Sequence, residues 1–353
     1  MDFAQTIFVD GKEISSRSKT YIIAEAGVNH GGCCDIAKKL IDVACDAGAD
    51  AVKFQSFQAD NLLVKGVAKA PYQADNTNNF ESQYDMIRSL ELSVDQCLDL
   101  QIYCNQKGIT FLTTPFDEFS LEALDKLDLP AYKVSSTDLT NIPFLKLIAR
   151  KNKPVFLSTG MSYLSEIDKA LFEINRLNSE VVVLQCTSDY PIKDSEANLT
   201  VLNLYRRRFG ALVGFSDHSI GIGAAPYAVS LGAKVVEKHF TLDKSMDGPD
   251  HKASLSPDEL VMLVKDIRKS EMFLGNGAKT VTEAEVSTRR VLQKFFVARK
   301  AIKKGELFKE TNIVGKRTGG KGISPYHFDR VFGLVANRNY DANEVIDVPI
   351  CTD

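Results

Sequence analysis

The run Ala211-Leu212-Val213-Gly214-Phe215-Ser216-Asp217-His218 is followed, after an amphipathic interval, by Lys234-Val235-Val236-Glu237-Lys238-His239. Each run is short, apolar and β-forming at its start and ends in ionisable side chains. The interval between them is long enough for a helix, which is the pattern of a βα unit feeding a parallel sheet. The same unit repeats upstream, in Tyr21-Ile22-Ile23-Ala24, Ala51-Val52-Lys53-Phe54, Ile109-Thr110-Phe111-Leu112, Ala131-Tyr132-Lys133-Val134, Pro154-Val155-Phe156-Leu157 and Val181-Val182-Val183-Leu184. Eight such strands over a span of about 250 residues predict an α/β fold of the (β/α)8 TIM-barrel type. A doubly wound open sheet is the rival, but no glycine-rich dinucleotide fingerprint follows the first strand. Helix signals fill the gaps: Ile36, Leu40, Val43 and Ala47 share one face of a helix that Gly48 should end, with similar stops at Gly108 and Gly232.

Working outward, the polar segment 57–90 contains Asp75-Asn76-Thr77-Asn78-Asn79 and precedes a helix expected from about Glu81. It reads either as a lid over the barrel mouth or as a surface loop. After Leu274-Gly275-Asn276-Gly277 the pattern changes to short strands, turns and basic residues. We therefore assign residues 1–274 to the barrel, 275–285 to a linker and 286–353 to a second, small domain that should dock on another surface.

The 353 residues are 44% hydrophobic and 25% charged with a net charge of −3, so a disordered chain and a nucleic-acid partner are both disfavoured. No apolar run is long enough to span a bilayer, and the first residues lack a basic and then apolar leader, so no membrane association and a cytoplasmic location are expected. Seven cysteines without a CxxC pair point to reduced thiols.

In such a barrel the strand ends converge on one mouth. Here they carry Glu25, Asn29 and His30; Lys53 and Gln55; Thr113 and Thr114; Lys133, Ser135 and Ser136; Ser158 and Thr159; Gln185, Thr187 and Ser188; Ser216, Asp217 and His218; Glu237 and His239. Lys53 and Lys133 have three readings: internal ion pairs with Glu25 or Glu237, cations for a bound phosphate or carboxylate among hydroxyls, or a Schiff-base amine. The second lysine and the hydroxyls favour the anion. His218 and His239, at adjacent strand ends beside Asp217, Glu237 and Asp250, are either packed structural residues or ligands of a divalent metal that keeps water or substrate oxygens in its shell.

Taken together, Glu25-Ala26-Gly27-Val28-Asn29-His30-Gly31-Gly32, Val52-Lys53-Phe54-Gln55, Thr113-Thr114-Pro115-Phe116, Tyr132-Lys133-Val134-Ser135-Ser136, Leu157-Ser158-Thr159-Gly160-Met161, Gly214-Phe215-Ser216-Asp217-His218-Ser219 and Glu237-Lys238-His239-Phe240-Thr241 resemble the sialic acid synthases within the nonulosonate synthases. The resemblance extends to the C-terminal segment, which looks like their antifreeze-like (SAF) domain. It implies condensation of phosphoenolpyruvate with the aldehyde of an N-acyl hexosamine, either N-acetylmannosamine or 2,4-diacetamido-2,4,6-trideoxymannose, to a nine-carbon 2-keto acid and phosphate. By the same resemblance His218 and His239 hold Mn²⁺ or another divalent ion. Lys53, Thr114, Lys133, Ser136, Ser158 and Ser216 hold phosphoenolpyruvate, and Gln55, Tyr190 and Asp250 contact the sugar. Glu25 and Glu237 stabilise charge and move protons. A homodimer is implied, with Arg317 of the small domain reaching the neighbouring subunit's mouth. The chain departs from the family at Gln185, where histidine is common, at Thr318, where proline is usual, and at Ser135-Ser136-Thr137-Asp138, which replaces a Gly-Ser-Gly-Glu type sequence. Two other classes stay open on the residues: a Schiff-base aldolase acting through Lys133 or Lys53, and a carbohydrate- or ice-binding protein.

Overall fold

The computed structural model describes residues 1–77 and 82–350; Asn78, Asn79, Glu81 and Cys351 lie outside the described residues. Two units divide between Gly275 and Asn276, one residue beyond the boundary read from the sequence.

The first unit opens with a hairpin, β1 (Thr6–Val9) and β2 (Lys12–Ser15), that was not expected. Its signal is present all the same: Asp10-Gly11, both at positive φ, sits between alternating apolar positions, which is the two-residue turn that suits a twisted hairpin. The eight barrel strands then follow as β3 (Tyr21–Gly27), β4 (Ala51–Ser56), β5 (Thr110–Pro115), β6 (Tyr132–Val134), β7 (Val155–Ser158), β8 (Val181–Cys186), β9 (Leu212–Asp217) and β10 (Val235–His239). All eight predicted runs are strands. Their order is β5-β4-β3-β10-β9-β8-β7-β6 with parallel pairing throughout, and β5 packs on β6 to close the ring.

Because strand side chains alternate faces, each strand splits its residues between two cores. Ile22, Val52, Phe111, Val183, Phe215 and Val236 face the surrounding helices in one large cluster. Tyr21, Ile23, Ala51, Leu112, Phe156, Val182, Leu184, Leu212 and Val235 fill the barrel interior, and Ile7, Val9 and Ile14 of the hairpin plug its lower end. Gly214 is inward-facing and admits no side chain: a Cβ there would come within 2.5 Å of Leu184 and 2.6 Å of the Val235 carbonyl.

Helix α1 (Cys34–Asp46) buries Ala37, Leu40, Ile41 and Ala44. The expected stripe is therefore rotated by about one residue: Leu40 is central, whereas Ile36 and Val43 flank it, half-buried. Gly48 follows the helix at positive φ, and Gly108 caps the later helix Val94–Lys107 in the left-handed conformation, as their lack of a Cβ permits. The segment after β4 is not a plain loop. It holds α2 (Ala59–Leu62), α3 (Pro71–Asn76) and α4 (Gln83–Ser89), the last capped by Ser82. Its apolar residues pack in a satellite cluster with Val28, Phe57 and Phe116.

The second unit carries the antiparallel pair β11 (Lys294–Ala298) and β12 (Ile313–Arg317). Phe296, Ile302, Phe308, Val331, Tyr340 and Ile346 give it an apolar core of its own. The helix Glu283–Leu292 crosses the end of the expected 275–285 linker and has no buried residue. The cysteines among the described residues are all unpaired, and no helix there is long and apolar enough to cross a membrane.

Candidate active site

The interior changes character one layer above the apolar plug. At the next inward position of each strand stand Glu25, Lys53, Thr114, Lys133, Ser158, Cys186, Ser216 and Glu237, all nearly inaccessible. They form the floor of a cavity of about 600 Å³ whose lining lies wholly in the first unit.

The floor is an alternating charge array. Lys53 Nζ lies 2.7 Å from Glu25 Oε2 and 3.9 Å from Glu237 Oε1, and it donates to Thr114 Oγ1 at 2.8 Å. Lys133 Nζ lies 3.6 Å from Glu237 Oε1 and donates to the Val134 carbonyl at 3.0 Å. Ser216 donates to Glu237 Oε1. Both lysines thus have the internal anionic partners of the first reading, and both also line the cavity. Ser136 Oγ accepts from the Gly160 amide at 2.9 Å, while Ser158 Oγ is buried without a partner and available to a ligand.

The two carboxylates differ. Burial, with the charge of Glu237 beside it, raises Glu25 to about 7 despite Lys53. Burial opposes Glu237 too, but Lys133 and Lys53 outweigh it and hold that group below its ordinary value. One carboxyl near neutrality beside one held ionised is the arrangement that separates proton transfer from charge stabilisation. Burial also lowers Lys133.

Above the floor, the rings of His218 and His239 stand 5.6 Å apart between centroids. His218 Nδ1 donates to the Thr187 carbonyl at 2.8 Å; burial opposes a charge on the ring, but Cys186 and that carbonyl outweigh it and raise its pKa, and in the neutral ring Nε2 is the lone-pair site. His239 Nδ1 is buried with no hydrogen-bond partner, 3.8 Å from Asp250 Oδ2, and burial followed by the charge of His218 holds the ring well below its usual pKa. Two imidazoles with free nitrogens fit a divalent cation. Among the described residues no third His, Cys, Asp or Glu completes a ligand set, so such an ion would keep water or substrate oxygens. Tyr190 covers His218 at 4.0 Å between centroids and meets the edge of His239 at 5.5 Å.

The pleat divides the strand-end inventory. Gln55, Ser136 and Tyr190 line the cavity with the floor residues. Thr113 bonds to Ser56, Thr159 to the Leu184 carbonyl, Gln185 to the Ala197 carbonyl, and Asn29, in the turn after β3, to the Phe240 carbonyl; none of the four lines the cavity. His30 is buried beside Phe54 with Nδ1 accepting from Gly32, so the mouth holds two imidazoles and not three. Asp217 points away from the mouth and pairs with Lys238 at 3.0 Å. Asp250 does not line the cavity; it is buried behind His239, and burial raises it to about 6. Arg317 ends β12 in the second unit with its side chain exposed.

Comparison with known proteins then decides the family. Residues 40–279 match the NeuB family. The chain belongs to that family. It is 45% identical over 93% of its length to the N,N'-diacetyllegionaminic acid synthase of Campylobacter jejuni, covering 99% of that protein. It is 39% identical to the enzyme of the same name from Legionella pneumophila, over 95% of each chain. Among solved structures, the N-acetylneuraminic acid (sialic acid) synthetase of Leptospira borgpetersenii in complex with citrate is 31% identical, with a TM-score of 0.72 over 82% of this chain and 97% of that one.

In this NeuB-family chain Cys186 and Tyr72 are among the cavity residues that escaped the sequence reading. Cys186 shares the inward phase of Val182 and Leu184, so strand parity alone would have found it. Burial alone would raise its thiol, but His218 at 3.9 Å, then Ser136 and Lys133, bring it down to about 7. Tyr72 of α3 stacks near Tyr190, 4.8 Å between centroids, and no local sequence signal places it there.

Proposed function

We propose that this chain condenses phosphoenolpyruvate with an N-acylated amino sugar, giving a nine-carbon 2-keto acid and phosphate. The observation that carries the reading is the cavity floor: two buried lysines and a ring of hydroxyls facing two carboxyl groups whose environments shift them in opposite directions, Glu25 up and Glu237 down. Lys53 and Lys133, with Thr114, Ser136, Ser158 and Ser216, hold the phosphate and carboxylate through charge-assisted hydrogen bonds. His218 and His239 would hold a divalent ion such as Mn²⁺, which when bound supplies Lewis-acid polarisation of the sugar aldehyde. The C3 carbon of phosphoenolpyruvate attacks that aldehyde, charge develops at C2, and water adds there before phosphate leaves by C–O cleavage. Glu237, held ionised, stabilises the positive charge at C2. Glu25, near neutrality and within 3.2 Å of Gln55 Nε2, takes or gives the proton at a sugar oxygen or the incoming water.

The upper wall supports a choice between acceptors. Phe57, Leu62, Leu63, Ile87 and Phe116 line it, and Lys53 and Lys133 are the only lysines or arginines among the described lining residues. Both already have carboxylate partners. An apolar wall without a spare cation suits a deoxy, doubly acetylated hexose and disfavours a phosphorylated one, in line with the legionaminic acid synthases. The Schiff-base reading is disfavoured because neither lysine is free of an anionic partner.

By family resemblance the second unit is an antifreeze-like SAF domain, and the enzyme is a cytoplasmic homodimer in which Arg317 serves the partner's site. The test of the activity is phosphate release by metal-stripped enzyme, with and without Mn²⁺, offered N-acetylmannosamine or 2,4-diacetamido-2,4,6-trideoxymannose. Metal-dependent release with the second sugar is expected. Release with neither sugar overturns the reading.

A further inference from the structure

Behind the two imidazoles, on the outer face of the barrel, lies a charged pair that the proposed chemistry does not use. Asp217 and Lys238 are partners at the last rung of the β9–β10 ladder, immediately before His218 and His239. Lys238 Nζ is 3.0 Å from Asp217 Oδ2, and both side chains are at most 2% exposed. The pair grips the loop that carries His218 onward. Asp217 Oδ1 accepts from the Ser219 amide at 2.8 Å and from its hydroxyl at 2.5 Å, and Lys238 donates to the Ser219 carbonyl at 2.7 Å. Ser219 Oγ in turn accepts from the Ala224 amide, and a Cβ on Gly223 would sit 1.9 Å from that oxygen, so the loop returns tightly upon the serine.

Two buried charges at the end of a ladder are costly to desolvate, and an apolar pair of similar volume would hold two strands together as well or better. What an apolar pair would not supply is a fixed exit direction for the chain after each strand. The serine is held through its amide, carbonyl and hydroxyl at once, so residue 218 is fixed between an anchored neighbour on each side.

We propose that the Asp217–Ser219–Lys238 network is a positioning device that registers His218 against His239 and so sets the affinity of the imidazole pair for a divalent cation. The inference rests on the reading of those histidines as a cation site. Asp217 and Lys238 touch neither substrate nor the imidazoles; they act through the backbone on either side of the rings, at Asp217 and Ser219 for His218 and at Lys238 for His239.

The test is Mn²⁺ binding to the full-length, metal-stripped protein, read as free Mn²⁺ by electron paramagnetic resonance, alongside thermal stability. Asp217→Asn should weaken Mn²⁺ binding about 10-fold, the low end of the range for partners bonded directly to a ligating imidazole, since it acts through the backbone. Ser219→Ala unpairs no buried charge, so it remains measurable if Asp217→Asn does not fold, and it should weaken binding about 3- to 10-fold. Arg268→Met breaks an ion pair with Asp50 remote from the site and is the control: it should lower the melting temperature and leave Mn²⁺ affinity unchanged. If wild-type protein binds Mn²⁺ but folded Asp217→Asn and Ser219→Ala bind it within threefold of wild type, the positioning role is refuted and the cation site stands. If wild-type protein binds no Mn²⁺, the cation site and the inference fall together, while substrate binding to the lysine floor can still be measured.

Discussion

Replacing Lys53 by methionine probes the cavity floor most sharply. Lys53 Nζ pairs with Glu25 at 2.7 Å, and both side chains are at most 3% exposed. Removing Lys53 leaves the Glu25 charge uncompensated, and a buried carboxyl answers by holding a proton to higher pH. The cost depends on pH in a definite sense. Glu25 already titrates near 7, above its ordinary value of 4.5, and loss of Lys53 removes an influence that lowers it. A carboxyl raised in the folded state contributes stability that is complete below its unfolded value and is lost as pH rises through the folded one. Lys53→Met should therefore lose more stability than wild type between pH 5 and pH 8, by about 1.4 kcal/mol for the one pH unit above the wild-type titration. Adding Glu25→Gln should restore most of the loss at pH 8 without restoring turnover. The chain has no Trp, so urea unfolding followed by circular dichroism at both pH values is the suitable assay. A deficit that does not change with pH, or one that Glu25→Gln fails to relieve, would refute a buried Lys53–Glu25 pair.

Three further outcomes follow from the geometry. Gly160→Ala would place a Cβ 2.2 Å from Ser188 Oγ and 2.9 Å from Ser136 Oγ; it should raise the KM for phosphoenolpyruvate about 10- to 100-fold, the loss of one charge-assisted hydrogen bond, and an unchanged KM would remove Ser136 from the anion site. Burial lowers His30 from 6.5 to about 4, so the stability it contributes is present above pH 6.5 and lost as pH falls toward 4, amounting to about 3 kcal/mol; His30→Asn should lack this extra acid sensitivity, and parallel unfolding curves would contradict it. Chains bearing His218→Ala and chains bearing Arg317→Ala, each inactive alone, should regain activity when refolded together if Arg317 serves the partner's site; no recovery in mixed dimers would overturn that exchange.

The barrel was legible because a parallel strand buried on both faces leaves a continuous apolar signature, and eight of them recur at helical intervals. The phase of each strand was harder to read. Ser216 and Asp217, or Glu237 and Lys238, are adjacent polar residues at a strand end, and nothing local says which faces the axis. The answer comes from the whole strand: Val235, Glu237 and His239 share one face, and Val236 and Lys238 share the other. Applied throughout, that parity would have moved Thr113, Thr159, Gln185 and Asp217 out of the mouth and brought Cys186 in. Tyr72 reaches the site through tertiary packing of α3 on the 249–252 loop, where Asn76 donates to the Pro249 carbonyl. A six-residue helix in a polar segment carries no periodicity long enough to predict that docking.

The central claim, condensation with C–O cleavage on a paired-lysine floor, is tested most directly by isotope. Phosphoenolpyruvate carrying ¹⁸O in the bridge between C2 and phosphorus should release phosphate that contains the label. Unlabelled phosphate, or a lysine adduct trapped by borohydride at position 53 or 133, would contradict the account.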